Sequence, residues 1–199
     1  MVHVSYSSAT ADGGSAGVLV ITGAMAVGKS TVAQAVAERL PAAAHVRGDL
    51  FRRMIVSGRA STDPPFSPSA AAQLRLRHRN AAVVADEYAA AGITAVVQDL
   101  YLGPDLLPFL QQLRSRPLWL VVLTTPAAIL AVRDAARGST GYGDWSPKEF
   151  AALVEATPRL GLRLDTSSLS VDATVGQILT RLDEARLHLP PIDAPELAH

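Results

Sequence analysis

At 199 residues, 49% of them hydrophobic, the chain has the size of one α/β domain with short tails rather than of two full domains. Lys and Arg number 18 and Asp and Glu 18, so the formal net charge is zero; no long-range basic field draws in an anionic membrane or nucleic acid, which counts against a polynucleotide substrate. Cysteine is absent, which excludes disulfides, thiolate zinc sites and cysteine nucleophiles and suits a cytoplasmic location, and no apolar run approaches the ~18 residues of a membrane span.

Residues 1–16 are polar and rich in Ser, Gly and Ala, without the basic start and apolar centre of a secretory signal, and read as a disordered leader. The domain proper is expected over 17–188, followed by a Pro-rich tail over 189–199. Within it, short apolar strands alternate with longer helical patterns, the pattern of parallel βαβ units joined by right-handed crossovers. Strands are expected at 18–22, 44–47, 93–98, 118–124 and 162–165, and their unbroken apolar runs suit burial on both faces. Helices are expected near 49–57, 69–91, 105–115, 126–136, 147–156 and 172–187. Ser67-Pro68, Thr125-Pro126 and Ser146-Pro147 each pair a capping side chain with proline at the first helical position. Segments 57–69 and 137–145 read as mobile loops from their Ser, Pro and Gly content. The histidines are scattered, with no metal-ligand spacing among them.

The strongest chemical signal lies at the end of the first strand. Gly23, Ala24, Met25, Ala26, Val27, Gly28, Lys29 and Ser30 match G-x-x-x-x-G-K-[ST] in full, and the run Val18 to Ile21 leads into them. From Thr31 onward, Val32, Val36 and Leu40 share one helical face, and Pro41 stops the pattern. Successive backbone N–H groups of such a loop form an anion nest and the following helix adds its positive end. Lys29 then reaches the outer phosphates and Ser30 coordinates Mg²⁺. The expected ligand is ATP or GTP with Mg²⁺.

Further candidates gather at the carboxyl ends of the strands, which share one edge in a parallel sheet. Asp49, just after the second strand, is suited to accept an acceptor hydroxyl proton or orient that hydroxyl; a helix N-cap is the alternative. Arg52 and Arg53 follow it and suit a polar acceptor; Arg75, Arg77 and Arg79, on the long helix, are weaker candidates. Asp99 ends the third strand, where phosphate-loop proteins commonly place an acidic residue toward Mg²⁺; a capped strand end is the alternative. Tyr101 is either a wall of the acceptor pocket or ordinary packing. Arg133 and Arg137, four apart before the Gly-rich segment, are either a phosphate clamp brought in by a closing loop or a solvated face.

With strand, loop, Asp49 and Asp99 in place, the chain resembles the small P-loop kinases over about 18–187, especially the chloramphenicol phosphotransferase and tunicamycin-resistance group. The resemblance implies a three-layer P-loop NTPase fold of the nucleotide-kinase type, with a five-stranded parallel sheet flanked by helices and a short lid near 133–146. In the chloramphenicol phosphotransferases an aspartate soon after the second strand is the proposed general base, and Asp49 occupies the matching place. The segment Gln98 to Gly103 looks like their acidic segment, although Gln98 then Asp99 stand where those proteins have two adjacent aspartates. Arg133 to Gly138 looks like the arginine-bearing lid helix, which implies phosphate-binding roles for Arg133 and Arg137. Similarity of 161–167 to the last strand and base-binding loop implies that Asp165 to Ser168, Thr166 and Ser167 among them, lie near the nucleotide base.

The resulting expectation is a kinase that moves the terminal phosphoryl group of ATP or GTP to a hydroxyl of a small molecule, an antibiotic or nucleoside-like metabolite. Lys29, Mg²⁺ and the lid arginines would stabilise the transferred group while Asp49 handles the acceptor proton. A nucleotide-gated regulatory NTPase is the alternative from another class, although the chain lacks the Asn/Thr-Lys-x-Asp guanine-reading motif. A sugar-nucleotide kinase of the zeta-toxin type is a third. Oligomeric state stays open, a homodimer included.

Overall fold

A computed structural model of the chain describes residues 16–63, 65–136 and 145–189. The expected leader over 1–15, Arg137 with the middle of the expected lid, and the tail beyond 189 lie outside the described residues.

Strand β1 (Val18–Gly23) is buried at every position, as its apolar run demands, because it occupies the centre of the sheet. β3 (Thr94–Gln98) pairs with it on one side and β4 (Leu118–Thr124) on the other. β2 (Ala43–Arg47) lies outside β3 and β5 (Leu162–Asp165) outside β4, giving five parallel strands in the order β2-β3-β1-β4-β5. β1 and β2, and likewise β3 and β4, are therefore separated in space although consecutive in sequence, and the loops after β1, β2 and β3 open onto one edge.

Helix α1 (Lys29–Arg39) turns Val32, Ala33 and Val36 into the core. The long α3 (Pro68–Ala90) buries Ala81, Ala82, Ala85 and Ala89, small side chains that let its axis approach the sheet closely. Two of the three expected caps form: the Ser67 hydroxyl accepts from Ala70 N–H at 3.0 Å, and Ser146 with Glu149 makes a reciprocal capping box at α6 (Pro147–Glu155). The third does not. Thr125 Oγ1 instead hydrogen-bonds to Thr166 Oγ1 at 3.1 Å, and α5 (Ala127–Ala135) starts one residue after Pro126 without a side-chain cap.

Three expected helices are shorter than their apolar patterns. α2 (Gly48–Arg53) ends before Ile55 and Val56, whose β-branched side chains are followed by Gly58 in the left-handed region at φ 73°. α4 (Leu106–Leu110) stops because the buried carboxylate of Asp86 accepts from the N–H groups of Arg114 and Ser115, at 3.1 and 2.9 Å, and draws the chain out of the helix. The expected last helix breaks at Arg181 into α7 (Val171–Thr180) and the single turn α8 (Leu182–Ala185). Arg186 and Leu187 then form β6, antiparallel to β4 at Leu118 and Trp119, below the stretch that β5 covers. The exposed hydrogen-bonding edge of β4 favours that pairing over another helical turn. The segment 57–69, expected to be a mobile loop, is held at several points: Gln73 donates to Gly58 O at 2.8 Å and accepts from Ala60 N–H at 2.9 Å, and Trp145 Nε1 donates to Thr62 O at 3.0 Å.

His78 on α3 is buried against Tyr101 and Phe109, with ring centroids 4.9 and 5.9 Å away, and its Nε2 has no partner. Burial, outweighing the pull of Asp99 and Asp105, holds its pKa below 6.5. The native imidazole therefore stays neutral where the unfolded one takes up a proton, so stability is full above about pH 6.5 and falls as pH drops toward the native value, by up to about 1.4 kcal/mol per pH unit. Urea unfolding at several pH values between 7.5 and 5.5 should show this loss, and His78→Gln should reduce it, the contribution of His45, whose pKa burial also lowers, remaining.

Candidate active site

The loop between β1 and α1 adopts the backbone its ligand requires. Ala26 and Gly28 take left-handed conformations, at φ 61° and 99°. At Gly23, φ 146° and a Cβ that would strike Leu123 O leave room for glycine only. Lys29 is 8% exposed, and its Nζ donates to Ala24 O within the loop at 2.7 Å, so the ammonium already sits over the nest. Ser30 is exposed at the start of α1 and its hydroxyl donates to Gln98 Oε1 at 3.0 Å. The partner of Ser30 at the end of β3 is thus a neutral amide.

Beside the loop lies a cavity of about 300 Å³, lined by Val27, Gly28, Thr31, Arg133, Thr166 and Leu169 among others. Arg133 Nη2 donates to Thr166 O at 2.8 Å and to Ser167 O at 3.5 Å, while its Nη1 reaches Val27 O at 3.5 Å. The guanidinium is therefore a clip between the phosphate loop and the β5–α7 connection, at the wall of the cavity. In this arrangement its donors meet backbone carbonyls and the Thr166 hydroxyl, at 2.8 to 3.5 Å. Thr166 lines the cavity and Ser167 meets Arg133 through its carbonyl. Asp165 turns away: it is exposed, and its Oδ1 accepts from Ser167 N–H at 2.8 Å, shaping its own turn. Leu169, Val171 and Thr174 complete the wall and carry no motif that would reveal them.

Across the sheet edge, Asp49 sits in the first turn of α2 and does not cap it. Arg47 donates to its two oxygens at 3.3 and 3.2 Å, and Arg53 lies 3.0 Å from Oδ2. Its side chain is 30% exposed, so the carboxylate is oriented yet reachable. Asp99 departs from expectation more sharply. Its carboxylate is 2% exposed, is engaged by both Nε and Nη2 of Arg77, and accepts from Leu100 N–H at 2.7 Å. A Cβ at Gly48 would overlap that carboxylate, so glycine is what lets α2 pack against the end of β3. Asp99 is thus a buried partner of Arg77 and not a ligand facing Ser30. Tyr101 is also corrected: it is fully buried, stacked on Phe109 at 3.5 Å between ring centroids, because the chain after Asp99 turns inward where Thr22 bonds both its N–H and its C=O. Arg52 makes no ion pair among the described residues and donates to Ala60 O at 3.1 Å.

Removing Arg77 would leave a buried carboxylate without its counter-charge. Arg77→Ala should lower unfolding stability by about 3 to 5 kcal/mol, read from denaturant midpoints, with Arg77→Ala/Asp99→Ala recovering part of the loss.

The sheet order, the phosphate loop and the adjoining cavity define a P-loop nucleotide-binding protein of the small-kinase fold. The chain belongs to the AAA domain family, whose model matches residues 18–161. Among solved structures it is similar to a sugar kinase from Janibacter sp. HTCC2649, with 20% identity over 85% of this chain and 96% of that one and a TM-score of 0.64. It is also similar to the Deinococcus radiodurans tunicamycin resistance protein, at 16% identity over 88% and 99% of the two chains with a TM-score of 0.61. The Mycobacterium tuberculosis APS kinase, solved with AMPPNP and APS, matches at 18% identity over 84% and 98% of the chains with a TM-score of 0.60. At these identities the likeness is one of fold. No curated protein matches the chain by sequence.

Proposed function

We propose that this protein is a small-molecule kinase that transfers the terminal phosphoryl group of ATP or GTP to an acceptor hydroxyl, on an antibiotic or nucleoside-like compound. The observation that carries the reading is the placement of a complete phosphate loop and an oriented, reachable carboxylate, Asp49, on the same edge of one sheet. The triphosphate lies in the loop nest with its base in the cavity beside Arg133. Lys29 moves from Ala24 O to the outer phosphates and offsets charge as the group transfers. The acceptor oxygen bonds to the terminal phosphorus as the bond to the bridging oxygen breaks. The hydroxyl proton passes to Asp49, and the nucleoside diphosphate leaves.

The oxygen set fits a magnesium ion that arrives with the nucleotide. Among the described residues no cluster of three His, Asp or Glu side chains could hold a metal, whereas Ser30 Oγ and Gln98 Oε1 stand together at the helix start. Ser30 would hold the ion and Gln98 would orient one of its waters, the phosphates supplying the charge. Bound there, Mg²⁺ would neutralise the phosphate oxygens.

The test is mass spectrometry of the purified protein with ATP or GTP, Mg²⁺ and a panel of hydroxyl-bearing antibiotics, nucleosides, sugars and sugar nucleotides. A product heavier by one phosphoryl group is the expected result. Nucleotide hydrolysis without any phosphorylated acceptor, even in cell extract, would favour a nucleotide-gated regulatory protein instead.

A further inference from the structure

The kinase reading leaves unexplained an accumulation of positive charge on the acceptor side, and the following rests on that reading. Arg52 of α2, Gln73 and Arg77 of α3, and Ala60 and Thr62 of the intervening segment line a shallow pocket with room of about 20 Å³. Arg77 is matched by Asp99. Arg52 is not matched: among the described residues it makes no ion pair, and its hydrogen bond goes to a neutral carbonyl. Burial first, then the neighbouring Arg59 and Arg77, depress its pKa against a weaker opposing pull from Asp63. A guanidinium does not escape such an environment by losing its proton, so the cationic wall persists at neutral pH. Gln73 holds the backbone on both sides of Arg59, at Gly58 O and Ala60 N–H, while the Arg59 side chain is exposed and lies outside the pocket lining.

A planar guanidinium that lines a small pocket and makes no ion pair among the described residues, with the Arg59 charge nearby, is suited to receive an oxyanion in bidentate fashion. The pocket admits one small group and not a ring. We propose that the acceptor carries an oxyanion, carboxylate-sized, that docks on Arg52 with help from Arg59, and that this contact presents the acceptor hydroxyl to Asp49. The acceptor class is then a hydroxy acid, or a nucleoside bearing an acidic substituent, rather than a neutral polyol or an uncharged antibiotic.

The test pairs each anionic acceptor with its neutral parent, in the presence of ATP and Mg²⁺: hydroxy acids from glycerate to gluconate against glycerol to sorbitol, and nucleoside monophosphates against nucleosides. The expected result is at least tenfold higher kcat/KM for the anionic member of the productive pair. A carboxylate or a phosphate ester as the preferred member distinguishes the two sources of the oxyanion. Arg52→Ala should then raise the acceptor KM about 30-fold or more with a smaller change in kcat, and Arg52→Lys should recover part of the loss. Arg59 is exposed, so Arg59→Ala tests the same wall without risk to the fold; it should raise KM a few-fold, less so at high salt. Equal use of neutral parents, or an anion preference untouched by either substitution, overturns the anionic subsite and leaves the kinase standing. Nucleotide turnover with no phosphorylated product from any compound overturns both.

Discussion

Replacing Lys29 with alanine is expected to lower turnover by about 100- to 1,000-fold, the loss that follows removal of one fixed donor aimed at developing charge. The ammonium is held within the loop at 2.7 Å from Ala24 O, a bond it would exchange for the outer phosphates when a nucleotide enters. Lys29→Met keeps the apolar stem that fills the 8% exposed site and removes only the charge. Both variants should lose turnover alike and bind nucleotide more weakly, measured by initial rates and by calorimetric titration. Retention of normal turnover by Lys29→Met would refute the role of the charge.

A second large effect is expected at Asp49. Asp49→Asn should reduce kcat by about 100- to 10,000-fold, the range for loss of a positioned proton acceptor, and leave nucleotide affinity within a factor of about two. The fold should tolerate the change, since the ion pairs to Arg47 and Arg53 involve side chains 39% and 66% exposed, and such pairs contribute about 0 to 1 kcal/mol. Thermal melting checks that point and rates check the first. The two variants separate the roles: Lys29 substitutions weaken nucleotide binding and transfer together, whereas Asp49→Asn affects transfer alone. If Asp49→Asn turns over normally, another group takes the acceptor proton.

The arginines divide according to what a sequence can express. Arg77 sits among Arg75 and Arg79 on one helix, and the choice of the one that meets Asp99 depends on how α3 lies on the sheet. Arg133 drew attention in the sequence from its place at the start of the expected lid, 133–146. Its engagement with Val27, Thr166 and Ser167 carbonyls required the β5–α7 connection to be folded back beside it, across more than thirty positions of chain. Gln98 carried a signal only as a departure from an acidic pattern, and its hydrogen bond to Ser30 gives that departure a structural meaning.

What the sequence determined by itself was whatever depends on neighbours along the chain. The run Val18 to Ile21, the loop Gly23 to Ser30, and the caps at Ser67 and Ser146 are of this kind, since strand burial, left-handed turns and capping are satisfied within a few residues. The alternation of elements likewise dictated a parallel, helix-flanked sheet. Tertiary structure decided where a residue's competing partners lay far away in sequence. Thr125 left its helix for Thr166, the buried Asp86 ended α4, the open edge of β4 captured Arg186 and Leu187, and Asp99 turned to Arg77 once Gly48 let α2 close over it. Each is a hydrogen-bonding group or charge whose local option was matched or bettered by a partner that only the folded chain brings near, and burial makes leaving such a group unpaired cost more than giving up a helical turn.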